Sequence, residues 1–394
     1  MTPGLSIPWD ALEPMLSGTS GIDVPHLYVR TLDAAETFLE SYGYEWAHPH
    51  DRQEMDALRQ EAIVFIERDL LVDEPDLTIP PDIRAETDIR KLLLWASDPA
   101  RIERQRWTCS LLRVMHTFAH CGSYFDEKYS TPIREQIQER FRPHLFENER
   151  GLRLGAGPAA IPLVAFEMRE KKTRTSLALK LLHKRENIGS DIFDWVGVRF
   201  VTEDRYDALR VVRYLRENNA VNFMQVRPGR SRNTLLDVER IQRDVQELNE
   251  DLRAGRIPDY QLESLLRDRV NSYTYPSPPE RSYNPLSSIA YHSIQFTCLQ
   301  RIRVRDRDAA LMRNMLERVP RRESVVLRAL TQYLERMEPG ADIRFLFPFE
   351  VQILDRHSYD LSRSGLASHA VYKERQRQRV KERLFGAIAA LRRG

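Results

Sequence analysis

The sequence predicts an α+β protein: a helical N-terminal domain over residues 1–150, then a mixed-sheet domain flanked by helices over 151–394. Three observations carry this. From about Thr31 to Phe146 apolar residues recur at spacings of three and four, as in MDALRQEAIVFIERDLL and ERQRWTCSLLRVMHTFAH. The stretch NERGLRLGAGPAAIP, Asn148 to Pro162, is rich in Gly, Pro and Ala, as domain boundaries often are. Beyond it, apolar runs of strand length alternate with helical segments of uneven length.

In order, LVAFEM (Leu163–Met168) reads as a strand and TSLALKLLHKR (Thr175–Arg185) as a helix. WVGVRFVT (Trp195–Thr202) is a strand, followed by the helix DRYDALRVVRYLREN and a second strand, AVNFMQVR. The charged, helical segment from Val238 to Val270 sits inside an insertion near 228–283. YHSIQFTCLQRIRV (Tyr291–Val304) is a long strand. A second helical insertion, near 306–340, separates it from the strand RFLFPFEVQIL, and the tail from Ala370 reads as a basic helix.

Composition narrows the class. The 394 residues are 42% hydrophobic and 30% charged, a globular composition. With 60 Lys+Arg against 58 Asp+Glu, net charge alone implies no polyanionic partner. Three cysteines without CxxC spacing argue for a reducing compartment and against a disulfide framework or structural zinc. The N-terminus lacks a signal-peptide pattern, and no apolar run approaches the roughly 18 residues of a bilayer span. A cytoplasmic protein without a membrane partner is expected.

Function enters through polar residues in apolar strands. Side chains alternate faces along a strand, so Glu350 and Gln352 share one face while Val351 and Ile353 share the other. Tyr291, Ser293 and Gln295 likewise share a face, and Arg199 stands among Val196, Val198, Phe200 and Val201, with Asp194 just upstream. A buried carboxylate costs several kcal/mol unless paired or holding a metal, so convergence on one sheet surface is the simplest account. Lys172, Ser176 and Lys180 recur at steps of four near a helix start, where phosphate is favoured. Asp194 and Glu350, this stripe and Arg199 together suit a Mg²⁺–nucleotide site. Taken singly, each has a plainer reading: Glu350 ion-paired with Arg199, the stripe a solvated helix face, Tyr291 an ordinary strand aromatic.

The order of these pieces resembles the synthetase domain of the RelA/SpoT family of (p)ppGpp synthetases, over about Leu163 to Lys373. KKTRTSLALKLL is similar to that family's RxKSxxSxxxKM, matching at Lys172, Ser176 and Lys180. DIFDWVGVRFVT resembles its metal-aspartate strand, with Asp194 and Arg199 in register. AYHSIQF resembles GYQSIHT at Tyr291, FEVQILD resembles VEIQIRT at Glu350 and Gln352, and GLASHAVYK resembles GVAAHWxYK at Gly365, Ala367, His369, Tyr372 and Lys373.

The resemblance implies a nucleotidyltransferase-like fold and a pyrophosphokinase. Mg²⁺ on Asp194 and Glu350 would bridge the phosphates of ATP. Glu350 would act as general base on the ribose 3′-hydroxyl of a guanine nucleotide. Lys172, Ser176, Lys180 and Arg199 would cradle the donor phosphates and Tyr291 would stack the acceptor base. Gln352 belongs to the same motif, and His369 and Lys373 are assigned equally to phosphate contact or to structure.

Departures fall at Glu170, where the family has an arginine that Arg169 or Arg174 could replace, and at Ala290, Gln295, Leu354 and Asp355. Two further outcomes stay open: transfer to another nucleotide or to a tRNA 3′ end, and a non-catalytic member that binds a nucleotide or protein partner.

Outside the resemblance, His116 and His120 are one turn apart on a largely apolar helix and read as core or partly buried histidines rather than a metal pair. The N-terminal helices are expected to regulate the protein or make it a homo-oligomer. The runs KERQRQRVKER and RPGRSR offer RNA contacts, against the plainer reading of a solvated charged helix.

Overall fold

The computed structural model describes residues 12–13, 15–16, 20–121, 124–149, 151–169, 173–183, 196–276, 291–305, 342–363 and 369–393. The N-terminal part of the described chain holds α1 (Leu32–Ser41), α2 (Pro49–Phe65), α3 (Pro81–Ala85), α4 (Ile89–Trp95), α5 (Ile102–His120) and α6 (Tyr124–Phe141). Their starts follow local chemistry. Thr31 and Asp88 cap α1 and α4 through side-chain oxygens that accept backbone N–H groups, and Pro49 and Pro81 open α2 and α3.

The strands are β1 (Leu145–Asn148), β2 (Gly151–Leu154), β3 (Ile161–Met168), β4 (Val196–Thr202), β5 (Val226–Asn233), β6 (Ile294–Arg305) and β7 (Asp342–Asp355). Between and after them lie α7 (Arg174–His183), α8 (Arg205–Glu217), α9 (Val238–Arg253), α10 (Asp259–Ser272), α11 (Arg356–Arg363) and α12 (His369–Arg393). All seven strands form one sheet in the order β1-β2-β3-β4-β7-β6-β5. Every neighbouring pair is antiparallel except β4 and β7, which run parallel at the centre. The chain is therefore a mixed α+β protein, as the sequence predicts. Among the described residues no helix is long and apolar enough to cross a membrane.

Two elements differ from expectation. The stretch Asn148 to Pro162 holds β2 and the turn into β3, with Gly151 at φ 94° closing the β1–β2 hairpin. The strand expected over Ala220–Arg227 instead begins at Val226 and continues through RPGRSRN. Asn222 caps a single 3₁₀ turn at Phe223–Gln225, which uses up the first half of that apolar run. β5 is an edge strand, where Pro228 and exposed arginines are tolerated, and Gly229 at φ 71° accompanies a register shift between Val226 and Ser231. The helix expected over 307–337 lies outside the described residues.

The two sheet faces are unlike. One carries Val196, Val198, Phe200, Phe349, Val351, Ile353, Cys298 and Ile302, packed under Ile133, Ile137 and Phe141 of α6 and Ala208, Val211 and Leu215 of α8. This burial is the main source of stability, at about 25 cal/mol per Å² of apolar surface removed from water. Among the described residues the other face has a small apolar cluster of Val201, Leu354 and Tyr359, with Tyr291 and Ala165 against it. A separate core joins α1, α2, α4 and α5 to Leu177, Leu181 and Leu182 of α7 and to Val380, Leu384, Phe385 and Ile388 of α12.

Candidate functional site

Register explains how polar residues gather on the second face. Directly paired residues in neighbouring strands point to the same side. Glu167, Arg199, Gln352, Gln295 and Arg232 are consecutive partners across β3, β4, β7, β6 and β5. The five side chains form one polar rung crossing the sheet. One step along, Gly197, Glu350 and Thr297 are partners across β4, β7 and β6.

Glu350 is only 5% exposed, yet three neighbours satisfy it. Arg169, just beyond β3, donates from Nη1 to Oε2 at 2.6 Å, and Gln352 Nε2 donates to the same oxygen at 2.9 Å. Gln295 Nε2 donates to Oε1. The ion pair of Glu350 is thus with Arg169 and not with Arg199, which corrects one sequence reading. Arg199 instead donates from Nε and Nη2 to Gln352 Oε1 at 3.3 and 3.2 Å, and from Nη1 to Glu167 Oε2 at 3.1 Å. Tyr359 of α11 donates to Glu167 Oε1, and Arg363 Nη1 donates to the Tyr359 hydroxyl at 2.8 Å. That bond to Glu167 pushes the Tyr359 hydroxyl above its ordinary range, with burial adding to it. Tyr291 lies against Val201, Leu354 and Tyr359, and burial pushes its hydroxyl up. The Arg232 Nε is buried and lacks a hydrogen-bond partner.

Gly197 has a specific reason to be glycine. A Cβ on it would stand 2.8 Å from Arg169 Cδ, so the missing side chain is what lets Arg169 cross toward Glu350. The backbone there is fixed: Arg169 N donates to Gly197 O at 2.8 Å, and Arg134 of α6 donates to Arg169 O at 2.7 Å.

The structure therefore brings together Arg199, Tyr291, Glu350 and Gln352, with Gln295 and Arg169, also named from the sequence, bonded to Glu350. Ser176 and Lys180 sit one turn apart on α7, both half-buried. The Thr173 hydroxyl caps this helix by accepting from Ser176 N at 3.2 Å. Lys373 of α12 donates to Ser176 Oγ at 3.2 Å, so two further named residues touch each other. Asp194 and Lys172 lie outside the described residues. His369 begins α12, and its side chain is likewise outside them.

Sequence reasoning missed Glu167, Gly197, Tyr359 and Arg363. The signal for Glu167 was a carboxylate inside the apolar run LVAFEM; its pairing with Arg199 comes from register. Two departures from the family motif have structural tasks. Leu354 belongs to the small apolar cluster beside Tyr291. Asp355 accepts the Tyr275 hydroxyl at 2.9 Å and the Ser358 N–H at 2.9 Å, capping α11.

The basic tail is largely paired. Lys381 meets Glu74 at 2.9 Å, Arg383 meets Asp23 at 2.7 Å, and Arg392 meets Glu103 at 2.8 Å, each across to the N-terminal part of the chain.

The acceptor atoms on the face are carboxylate and amide oxygens, the hard donors that Mg²⁺ takes, usually one or two carboxylates with substrate phosphates. Among the described residues no three His, Cys, Asp or Glu side chains group as a metal site. Glu350 would therefore hold Mg²⁺ only with help from Asp194 or from phosphate oxygens.

Comparison with family models, with curated proteins and with solved structures finds no match to this chain.

Proposed function

We propose that the protein is a Mg²⁺-dependent diphosphotransferase that moves pyrophosphate from ATP to the ribose 3′-hydroxyl of a guanine nucleotide. The observation that supports this best is a buried carboxylate, Glu350, ringed by donors on the polar face of an otherwise apolar sheet. Purely structural burial of such a group is expensive, whereas a phosphoryl-transfer site needs this arrangement.

In this reading the 3′-oxygen attacks the β-phosphorus of ATP. The bond from that phosphorus to the α,β-bridging oxygen breaks, and AMP leaves. The hydroxyl proton passes to the Glu350 carboxylate. Arg199, fixed between Gln352 and Glu167, orients donor phosphates, joined by Lys172, Ser176 and Lys180. Lys373 positions Ser176, and Tyr291 offers a flat face to the acceptor base. Bound by Glu350 and Asp194, Mg²⁺ would supply charge neutralisation at the transferring phosphates. Positioning and fixed charge would provide most of the rate, as is usual for phosphoryl transfer.

The test is AMP release from ATP with Mg²⁺ and an acceptor panel of GDP, GTP, adenine nucleotides and tRNA. Transfer to a guanine nucleotide, abolished in Glu350→Gln, is expected. Transfer to tRNA alone would move the acceptor to an RNA 3′ end. Absence of AMP with every acceptor would leave a nucleotide-binding protein without catalysis.

A further inference from the structure

We propose that Arg169 and a divalent cation are alternative occupants of Glu350, with substrate phosphates drawing the guanidinium away as the cation takes its place. This rests on the reading of Glu350 as a cation-binding carboxylate. The argument begins with the oxygens. A carboxylate offers about four lone-pair sites. Arg169 and Gln352 use Oε2, and Gln295 uses Oε1. A cation bound at about 2.0–2.1 Å would stand against a full positive charge on the same group.

The two guanidinium groups on this face are not equivalent. Arg199 issues from the middle of β4 and is held on both sides, by Gln352 and Glu167. Arg169 follows the end of β3, reaches Glu350 over the bare Cα of Gly197, and keeps about a quarter of its side chain (26%) exposed. Its backbone is pinned by Gly197 and Arg134, so the guanidinium is the part of the residue that would move in the exchange. A guanidinium fork matches phosphate as well as it matches carboxylate, which makes the substrate a natural second partner. The next residues lead directly to Ser176 and α7, the expected phosphate segment. Arg169 thereby keeps a buried carboxylate compensated and ties cation entry to nucleotide binding.

The experiment measures Mn²⁺ binding by electron paramagnetic resonance, with and without ATP, in four proteins. These are wild type, Arg169→Gln, Gly197→Ala and the double variant Arg169→Gln/Glu350→Gln. Without ATP, Arg169→Gln is expected to bind Mn²⁺ on the order of tenfold or more tighter than wild type, a usual size for coupling between two ligands. Gly197→Ala should shift binding in the same direction, because its Cβ crowds Arg169 while leaving every charge in place. The double variant should lose the gain, and ATP should narrow the gap between wild type and Arg169→Gln. A urea transition on each protein separates these effects from misfolding. Equal Mn²⁺ affinity in wild type, Arg169→Gln and Gly197→Ala, with an ATP-dependent site still lost in the double variant, would overturn the exchange and leave the site reading intact. Mn²⁺ binding indifferent to Glu350 in every state would overturn both.

Discussion

Arg169 reaches Glu350 through the space that a side chain on Gly197 would fill, with a Cβ there only 2.8 Å from Arg169 Cδ. The contact is therefore encoded twice, once by the arginine and once by the absence of a neighbour. Gly197→Val puts a branched side chain where Arg169 passes. Chemical denaturation should show a loss of about 1–3 kcal/mol, the usual cost of overpacking, and AMP release should fall with it. A denaturation midpoint and activity both equal to wild type would show that Arg169 has another route.

Arg199 is shared between Gln352 and Glu167 by a planar fork that a lysine cannot reproduce. If it orients donor phosphates, Arg199→Lys should lower kcat/KM for ATP about ten- to hundredfold, in line with about 1.5–3 kcal/mol for hydrogen bonds to a charged group. Steady-state kinetics at several ATP concentrations check this. A value within about twofold of wild type would confine Arg199 to a structural part.

The N-terminal helices share a core with α7 and α12, and Arg174 makes a two-bond ion pair with Glu61 of α2, at 2.9 and 3.0 Å. Residues 151–394 expressed alone would expose Leu177, Leu181, Leu182, Val380, Leu384, Phe385 and Ile388 to water. That piece should aggregate or melt without a cooperative transition, as light scattering and circular dichroism would reveal. A soluble, cooperatively melting fragment would contradict the shared core.

His116 contacts the Tyr42 hydroxyl and the His120 ring, and burial, then repulsion from His120, push it from its ordinary 6.5 down to about 4. Between those values the unfolded chain binds a proton that the folded protein does not. Stability attributable to His116 is thus fully present above about pH 6.5 and is lost as pH falls toward 4, by on the order of 3 kcal/mol. Denaturant titrations of wild type and His116→Phe across that range should diverge in slope. Parallel curves would mean that His116 titrates normally.

Much of the site was legible in single strands, because parity alone places Glu350 with Gln352 and sets both apart from Val351 and Ile353. What parity does not supply is register. That Gln352 faces Arg199 on one side and Gln295 on the other depends on pairings between strands remote in sequence, fixed by the apolar face they bury together. Arg169 was recognisable as a possible substitute for the displaced arginine, yet its partner was not, since Gly197 reads as an ordinary strand residue until its neighbour is known. Four-residue strands such as β1 and β2 carry too little periodicity to register against a Gly- and Pro-rich background. β5 slipped because its first apolar residues are taken by a capped turn.

The central position of β7 has a consequence for biogenesis. Of the described strands it comes last in the chain, yet it lies between β4 and β6. As the ribosome extends the chain, the β4 edge that β7 covers stays unpaired until Asp342–Asp355 has emerged. Assembly then finishes from the middle outward rather than by adding to a margin. Such long-range closure is slow and leaves a sticky edge in the meantime, making the nascent chain a natural client for chaperones. The same insertion delivers Glu350 to its neighbours, so incomplete chains carry the arginines without the carboxylate.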